Sequence, residues 1–380
     1  MSNVKLGKIR NIIISVHIST LVIVALVGFY AANFYSSISP NVLITELIIV
    51  GIINGIVMLA SILVHELAHS LWAQKYGLEV SEIELHLFGG VSKMEQEPDN
   101  PKNELVISAV GPLSSLLIGA SLLALFFSGL SFPNFVRVTL LYSGISNIGL
   151  GIFNFLPAFP MDGGRVLRAY LWNRRDDMLS ATKTSTRIGS FIGYGMILFG
   201  FFQTVFFGLL GGFWLIIIGM FLNSTSKKAY IQTFYQLQLA QIKADEILRT
   251  PKLAIPFNTL VDDAVKYYFM VYRYPYFPIT KNGRIIGIVH INDIQEIPVE
   301  RRRQHIIGYL MKDIEEFPKI NINDKGDDVL RKLRKDEEEP LLGVVVDKDE
   351  FTEQEYIAGF IGEEDLNSAL KYMRMVKNPS

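Results

Sequence analysis

The sequence predicts a membrane-embedded all-α bundle of about six transmembrane helices, with a small β-hairpin at the membrane surface, followed by a water-soluble α/β half. Apolar residues make up 50% of the 380 positions and charged residues only 19%, an unusual balance for a soluble protein. The apolar residues are also unevenly spread. Nearly all long apolar runs precede Phe221, and beyond Lys227 the chain becomes charged and mixed.

Runs long enough, or nearly so, to cross a bilayer lie at residues 12–34, 43–72, 105–130, 138–156, 189–209 and 210–222. The first is too long for a secretory signal and lacks a small-residue cleavage site. Gly211-Gly212 interrupts the last two runs, and the final one is short. Cytoplasmic loops carry an excess of Lys and Arg, which sets orientation. Lys5, Lys8 and Arg10 precede the first span, and Lys75, Lys93 and Lys102 follow the second. Arg165, Arg168, Arg174, Arg175, Lys183 and Arg187 follow the fourth, whereas the opposite loops hold Arg137 alone. Both termini and the soluble half are therefore expected in the cytoplasm, with spans two and four ending on that side.

Between the second and third spans, Glu82, Glu84 and His86 alternate with Ile83, Leu85 and Leu87, ahead of Gly89-Gly90. A two-residue period with a glycine turn predicts a hairpin with two unlike faces. The 82–88 strand offers an edge to which an extended peptide can add; a purely structural hairpin is the other reading.

There is no cysteine, so disulfides, thiolate nucleophiles and cysteine-ligated zinc are excluded. A metal site must be assembled from Asp, Glu and the six His. A net charge of −1 gives no ground for a nucleic-acid partner, and none is expected.

The second span contains His65-Glu66-Leu67-Ala68-His69. On a helix, residues four apart share a face, so both imidazoles can reach one tetrahedral zinc. Glu66 is offset around the helix, where its carboxylate can take a proton as water attacks a carbonyl. Such a string arises by chance in roughly one chain in a hundred of this length. Three ionisable residues within five positions of a span are costly, however, and require a compensating partner.

Two His leave a catalytic zinc one protein ligand short. Asp162 lies just after the fourth span, in Asn154-Phe155-Leu156-Pro157-Ala158-Phe159-Pro160-Met161-Asp162-Gly163-Gly164-Arg165. The prolines and glycines predict irregular backbone, tolerated at membrane depth where it lines a water-filled cavity. An ordinary Asp-Gly turn is the alternative reading of Asp162.

The His65–His69 motif, followed by Asn154-x-x-Pro157-x-x-x-x-Asp162-Gly163-Gly164, resembles the site-2 protease family of intramembrane metalloproteases. Phe88-Gly89-Gly90 in the hairpin and Gly111-Pro112 opening the third span are similar as well. The resemblance covers roughly residues 1–225 and implies one zinc ion held by His65, His69 and Asp162, with Glu66 as general base. It also implies Asn154 as a substrate contact or oxyanion support.

The soluble half resembles a tandem pair of cystathionine-β-synthase (CBS) domains, at about 244–298 and 299–380 after a linker helix at 226–243. The resemblance rests on Tyr276-Phe277-Pro278-Ile279-Thr280 with Gly283 through Ile294, and on Gly343-Val344-Val345-Val346 with Ile357 through Leu366, a weak internal repeat. Such pairs bind ATP, ADP or AMP, dimerise, and regulate attached domains. Asp293 and Asp365 are the candidate ribose contacts, although His290 and Gly362 stand where the nucleotide pattern has Ser or Thr. Capping of the following helix is the alternative role for both aspartates.

The resemblance thus implies hydrolysis of peptide bonds in or near the transmembrane segments of single-pass or membrane-anchored proteins. A channel or transporter with a CBS pair, or a zinc sensor that no longer cuts, are the rival classes. No pair of similar hydrophobic halves is seen, which argues against the first, and the presence of Glu66 argues against the second.

Overall fold

The computed structural model describes residues 3–39, 42–86, 89–94, 97–208, 210–250, 253–334, 342–348 and 355–377. Leu87 and Phe88 of the hairpin lie outside the described residues. The chain divides into two compact units, Met1–Thr233 and Phe234–Ser380.

The first unit begins with strands β1 (Asn3–Ile9) and β2 (Ile12–His17), antiparallel across a turn in which Arg10 and Asn11 both have positive φ. Helices α1 (Thr20–Ile38) and α2 (Ile44–Lys75) follow, then strands β3 (Val80–His86) and β4 (Gly89–Met94). Next come α3 (Pro101–Phe127), α4 (Asn134–Asn154), α5 (Asp162–Arg175), α6 (Met178–Phe207) and α7 (Leu210–Leu239). Among the described residues five helices, α1, α2, α3, α4 and α6, are long and apolar enough to cross a membrane. The run at 210–222 is the first part of α7, whose polar continuation from Asn223 keeps it out of that group.

Three expectations are corrected here. The apolar run at 12–34 is not one helix: residues 12–17 form β2, and the helix starts at Thr20. Ile12, Ile13, Ile14 and Val16 are β-branched and suit a strand as well as the end of a span; β2 has both a hairpin partner in β1 and a parallel partner in β3. The second correction follows from the first. The order in the sheet is β1-β2-β3-β4, so the 82–86 strand is flanked on both sides and the edges are β1 and β4. Gly111-Pro112 also lies well inside α3 rather than at its start.

Ile83 and Leu85 of β3 are fully buried with Ile62, Ala73 and Ile107 from α2 and α3, so the sheet is packed directly on the helices. Within the bundle, Ser143 Oγ on α4 donates to Asn54 Oδ1 on α2 at 2.7 Å, and Asn54 Nδ2 donates to Val50 O at 2.8 Å. Interhelical bonds of this kind bind helices that have no hydrophobic reason to associate in lipid.

The second unit contains strands β5 (Ile255–Pro256), β6 (Tyr276–Lys281), β7 (Arg284–His290) and β8 (Lys312–Asp313) in one sheet. Strands β9 (Lys319–Asn321), β10 (Leu342–Lys348) and β11 (Glu355–Gly362) form another, ordered β11-β10-β9. The first sheet's core runs from Ile255 to Ile307; the second's combines Leu239, Ala244 and Ile247 with Ile320, Val345 and Leu366. Tyr276 and Ile288 pack on Leu342, Val344 and Phe360 to join the two sheets.

Candidate metal centre

His65 and His69 stand one turn apart on α2, each 5% exposed. Their Nε2 atoms are 3.2 Å apart, and Asp162 Oδ2 is 3.1 Å from the first and 3.2 Å from the second. Among the described residues these three form the one His/Asp/Glu group whose ligand atoms converge closely enough to hold a metal ion.

The far side of each ring is tied to α3. His69 Nδ1 donates to Ile107 O at 2.6 Å, and His65 Nδ1 lies 2.9 Å from Ser115 Oγ. A proton on His69 Nδ1 leaves the Nε2 lone pair of the neutral ring pointing at Asp162. Two imidazole nitrogens and a carboxylate oxygen thus converge with their electron pairs, an arrangement that suits a cation at their centre. The donor set fits zinc, which takes His nitrogen and Asp oxygen and is commonly held in this way with the outer ring nitrogens hydrogen-bonded.

Gly111 of α3 makes this convergence possible. A Cβ there would fall within contact distance of His69 Nε2 and 2.8 Å from His65 Nε2. Only a residue without a side chain lets α3 pass over the two rings.

Asp162 arrives from the other direction. Residues 155–161 are irregular, as the prolines predict, but Asp162 itself opens α5, and Gly163 and Gly164 lie in its first turn. These glycines initiate the helix close to the backbone of Phe155, Ala158 and Phe159, where Cβ atoms would clash.

Two turns further along α5, Arg168 is fully buried and donates through Nε to Glu104 Oε1 on α3 at 2.7 Å, with a second bond from its Nη2. Its Nη2 also reaches Glu97 Oε2 at 3.3 Å. The helix that carries Asp162 is therefore pinned to α3, the helix whose Ile107 and Ser115 contact the His69 and His65 rings. Arg168, counted above among the cations that follow the fourth span, is thus a buried structural ion within α5.

Glu66 is offset from the two imidazoles, as helical spacing requires, and lies under β4. Ser92 Oγ donates to Glu66 Oε2 at 3.1 Å. Asn154, the last residue of α4, donates its side-chain amide to Leu150 O at 3.1 Å. In the second unit, Asp293 Oδ2 accepts from His290 N at 2.8 Å, and His290 Nδ1 accepts from Asn292 N in return. Asp365 accepts from Tyr276 Oη at 3.1 Å and Gly362 N at 2.9 Å, and pairs with Arg249 at 2.7 Å. Both aspartates carry the helix-capping bonds that were the alternative reading.

Sequence reasoning did not find Ser115, Ile107 or Ser92. A serine in a span or strand carries no motif, and a backbone carbonyl has no residue identity to detect.

The model of Peptidase family M50 matches residues 54–137 and 132–200, and that of the CBS domain matches residues 244–300. A zinc metalloprotease of Methanocaldococcus jannaschii is 31% identical over 302 residues, 77% of this chain and 80% of that protein. Rip3 of Mycobacterium tuberculosis, named as a zinc metalloprotease, is 30% identical over 318 residues, 83% of this chain and 81% of that protein. A solved site-2 protease from Methanocaldococcus jannaschii, 30% identical, covers 60% of this chain and 95% of its own, at a TM-score of 0.40.

The chain belongs to Peptidase family M50, the site-2 proteases. It is a membrane zinc metalloendopeptidase with a CBS domain C-terminal to its apolar helices.

Proposed function

We propose that this protein hydrolyses peptide bonds in or near the transmembrane segments of single-pass or membrane-anchored proteins. The observation that carries the proposal is the position of the centre: His65, His69 and Asp162 converge where an apolar helix meets α3 and α5, with Glu66 beside them. His65, His69 and Asp162 hold one zinc ion. Bound zinc supplies a Lewis acid for the scissile carbonyl and lowers the pKa of the attacking water. Glu66 takes the proton from that water and passes it to the departing amine as the C–N bond breaks.

An intact helix hides its carbonyls in its own hydrogen bonds, so the substrate must unwind locally. The edge of β4 suits an unwound segment, which would add to the sheet as a fifth strand. Asn154 contacts the substrate or steadies the oxyanion once its amide leaves Leu150.

Residues 1–225 form the protease domain, with the apolar start of α7 as a sixth span, and 226–243 form a linker. Residues 244–380 form the CBS pair that regulates cleavage and joins two copies in a dimer. Both termini and the open side of the centre face the cytoplasm, as the Lys and Arg asymmetry directs. In this reading the CBS pair also takes an adenine nucleotide through a ribose contact. Asp365 would first have to release Tyr276 and Arg249, so Asp293 is the better ribose contact. Calorimetry with ATP, ADP and AMP on the full chain tests it; no heat with any of them leaves the pair as a packing or dimerising module.

The main experiment compares membrane fractions of the wild type with Glu66→Gln. Membrane proteins that accumulate uncut in the variant, while its zinc content equals that of the wild type, are the expected result. Near-normal cleavage by a zinc-loaded Glu66→Gln protein would remove Glu66 from the mechanism.

A further inference from the structure

Strand β4 packs alternate residues against α2. In the β3–β4 register Gly90 stands opposite Leu85 and Ser92 opposite Ile83, with Met94 opposite Val80. Those three β3 residues are buried against the helices. Directly opposed residues of an antiparallel pair share a face, so Gly90, Ser92 and Met94 look inward too. Ser92 is the polar residue among these three, at a place where packing alone would favour Val or Ile.

Its hydroxyl has a defined use. Ser92 Oγ donates to Glu66 Oε2 at 3.1 Å and stands 3.1 Å from Ser70 Oγ. A hydroxyl has one proton, and that of Ser92 is committed to the carboxylate, so Ser70 donates to Ser92. Ser70 is fully buried one turn after Glu66 on the same helix. The relay from Ser70 through Ser92 thus fixes one oxygen of Glu66. Gly90 confines the carboxylate from above: a Cβ there would lie 2.7 Å from Glu66 Cδ and 3.0 Å from Oε1.

The geometry points to Ser92 as the positioning residue of the general base. It holds Glu66 Oε2 so that Oε1 stays available for the proton of the attacking water. It does so from β4, one of the two outer strands of the four-stranded sheet. A substrate segment adding to that edge would use backbone groups of β4 and would steady the strand that carries the serine. Substrate pairing and alignment of the base are thereby coupled through one side chain. This inference rests on Glu66 being the base, and the experiment separates the two.

The variants are Ser92→Ala, Ser92→Thr, Ser70→Ala and Glu66→Gln in the full-length protein, with zinc content measured for each. The kinetic probe is casein, an extended chain that needs no unwinding. Ser92→Ala is expected to lower kcat by about 10- to 100-fold, the rate equivalent of one hydrogen bond to a charged group. KM and zinc content should not change, and Ser92→Thr should restore most of the rate.

The second readout needs no turnover. The infrared carboxylate band that disappears in Glu66→Gln should shift in Ser92→Ala and return in Ser92→Thr. A wild-type kcat or an unshifted band in Ser92→Ala, with Glu66→Gln inactive, overturns the proposal. Loss of zinc from Ser92→Ala also overturns it, because the serine would then serve the metal site. If Ser92→Ala does not fold, Ser70→Ala carries the test, with a several-fold loss of kcat expected and an unshifted band counting against the relay. Full activity in Glu66→Gln is a different failure: it removes the base itself.

Discussion

His69 Nδ1 donates to the carbonyl of Ile107 across 2.6 Å, between positions 38 residues apart in the chain. A helix that contributes no side chain to the convergent ligand group therefore sets the tautomer of one of its imidazoles. Ser115, two turns further along α3, faces the other imidazole. The two rings are oriented by one neighbouring helix, and α3 governs the centre from behind.

Ser115→Ala should weaken zinc binding by about 10- to 100-fold, the usual effect of removing an outer partner from a ligating histidine. Competition against a chelator of known affinity measures it. Ser115→Thr keeps the hydroxyl and should stay near the wild type.

Gly111→Ala should be more damaging than Ser115→Ala, although it adds only a methyl group. That methyl would enter the space between the two Nε2 atoms, and α3 cannot retreat without losing the Ile107 bond. A loss of zinc affinity beyond about 100-fold is expected, read by elemental analysis after mild chelation. Full zinc occupancy would mean that α3 shifts freely, against the packing seen here.

Asp162→Ala should lower zinc content and activity together, because a two-His site competes poorly with chelators. The control is Asp176→Asn at the other end of α5. Asp176 is the left-handed C-cap of that helix, with φ 51°, a conformation that Asn also tolerates. Its zinc content and activity should match the wild type. Full zinc in Asp162→Ala after chelation would return Asp162 to the role of a turn residue.

Arg168→Met should destabilise the membrane unit by up to about 3–5 kcal/mol, since Glu104 would stay buried with only Arg165, 3.8 Å away, as a cationic neighbour. Burial disfavours the Arg168 charge, and Glu104 and Glu97 more than restore it. The double variant Arg168→Met with Glu104→Gln should recover much of the loss. Thermal unfolding in detergent gives the comparison, and additive losses in the double variant would show that the two residues act independently.

Local spacing carried much of this protein. His65 and His69 share a face because an α-helix repeats every 3.6 residues, and no distant residue is needed for that. Runs that coincide with α2, α3, α4 and α6 were legible from unbroken apolar length, and the CBS domain from the motifs of the charged C-terminal half. The absence of cysteine restricted metal ligands to His, Asp and Glu before any coordinates existed.

Pairing between distant segments was not legible. Residues 12–17 are apolar and β-branched, which fits a strand or the start of a span equally well. Their strand identity depends on hydrogen bonds to β1 and to β3, which lies beyond two long helices. That pairing also moved the sheet edge from the 82–86 strand to β4, next to Glu66. The Ile107 carbonyl behind His69 and the hydroxyl of Ser92 above Glu66 were equally hidden. The sequence by itself determined which residue types were available for chemistry and their order along each helix. Only the tertiary structure decided which backbone and side-chain groups face them, because hydrogen-bond partners between distant segments are chosen by packing and leave no periodic trace.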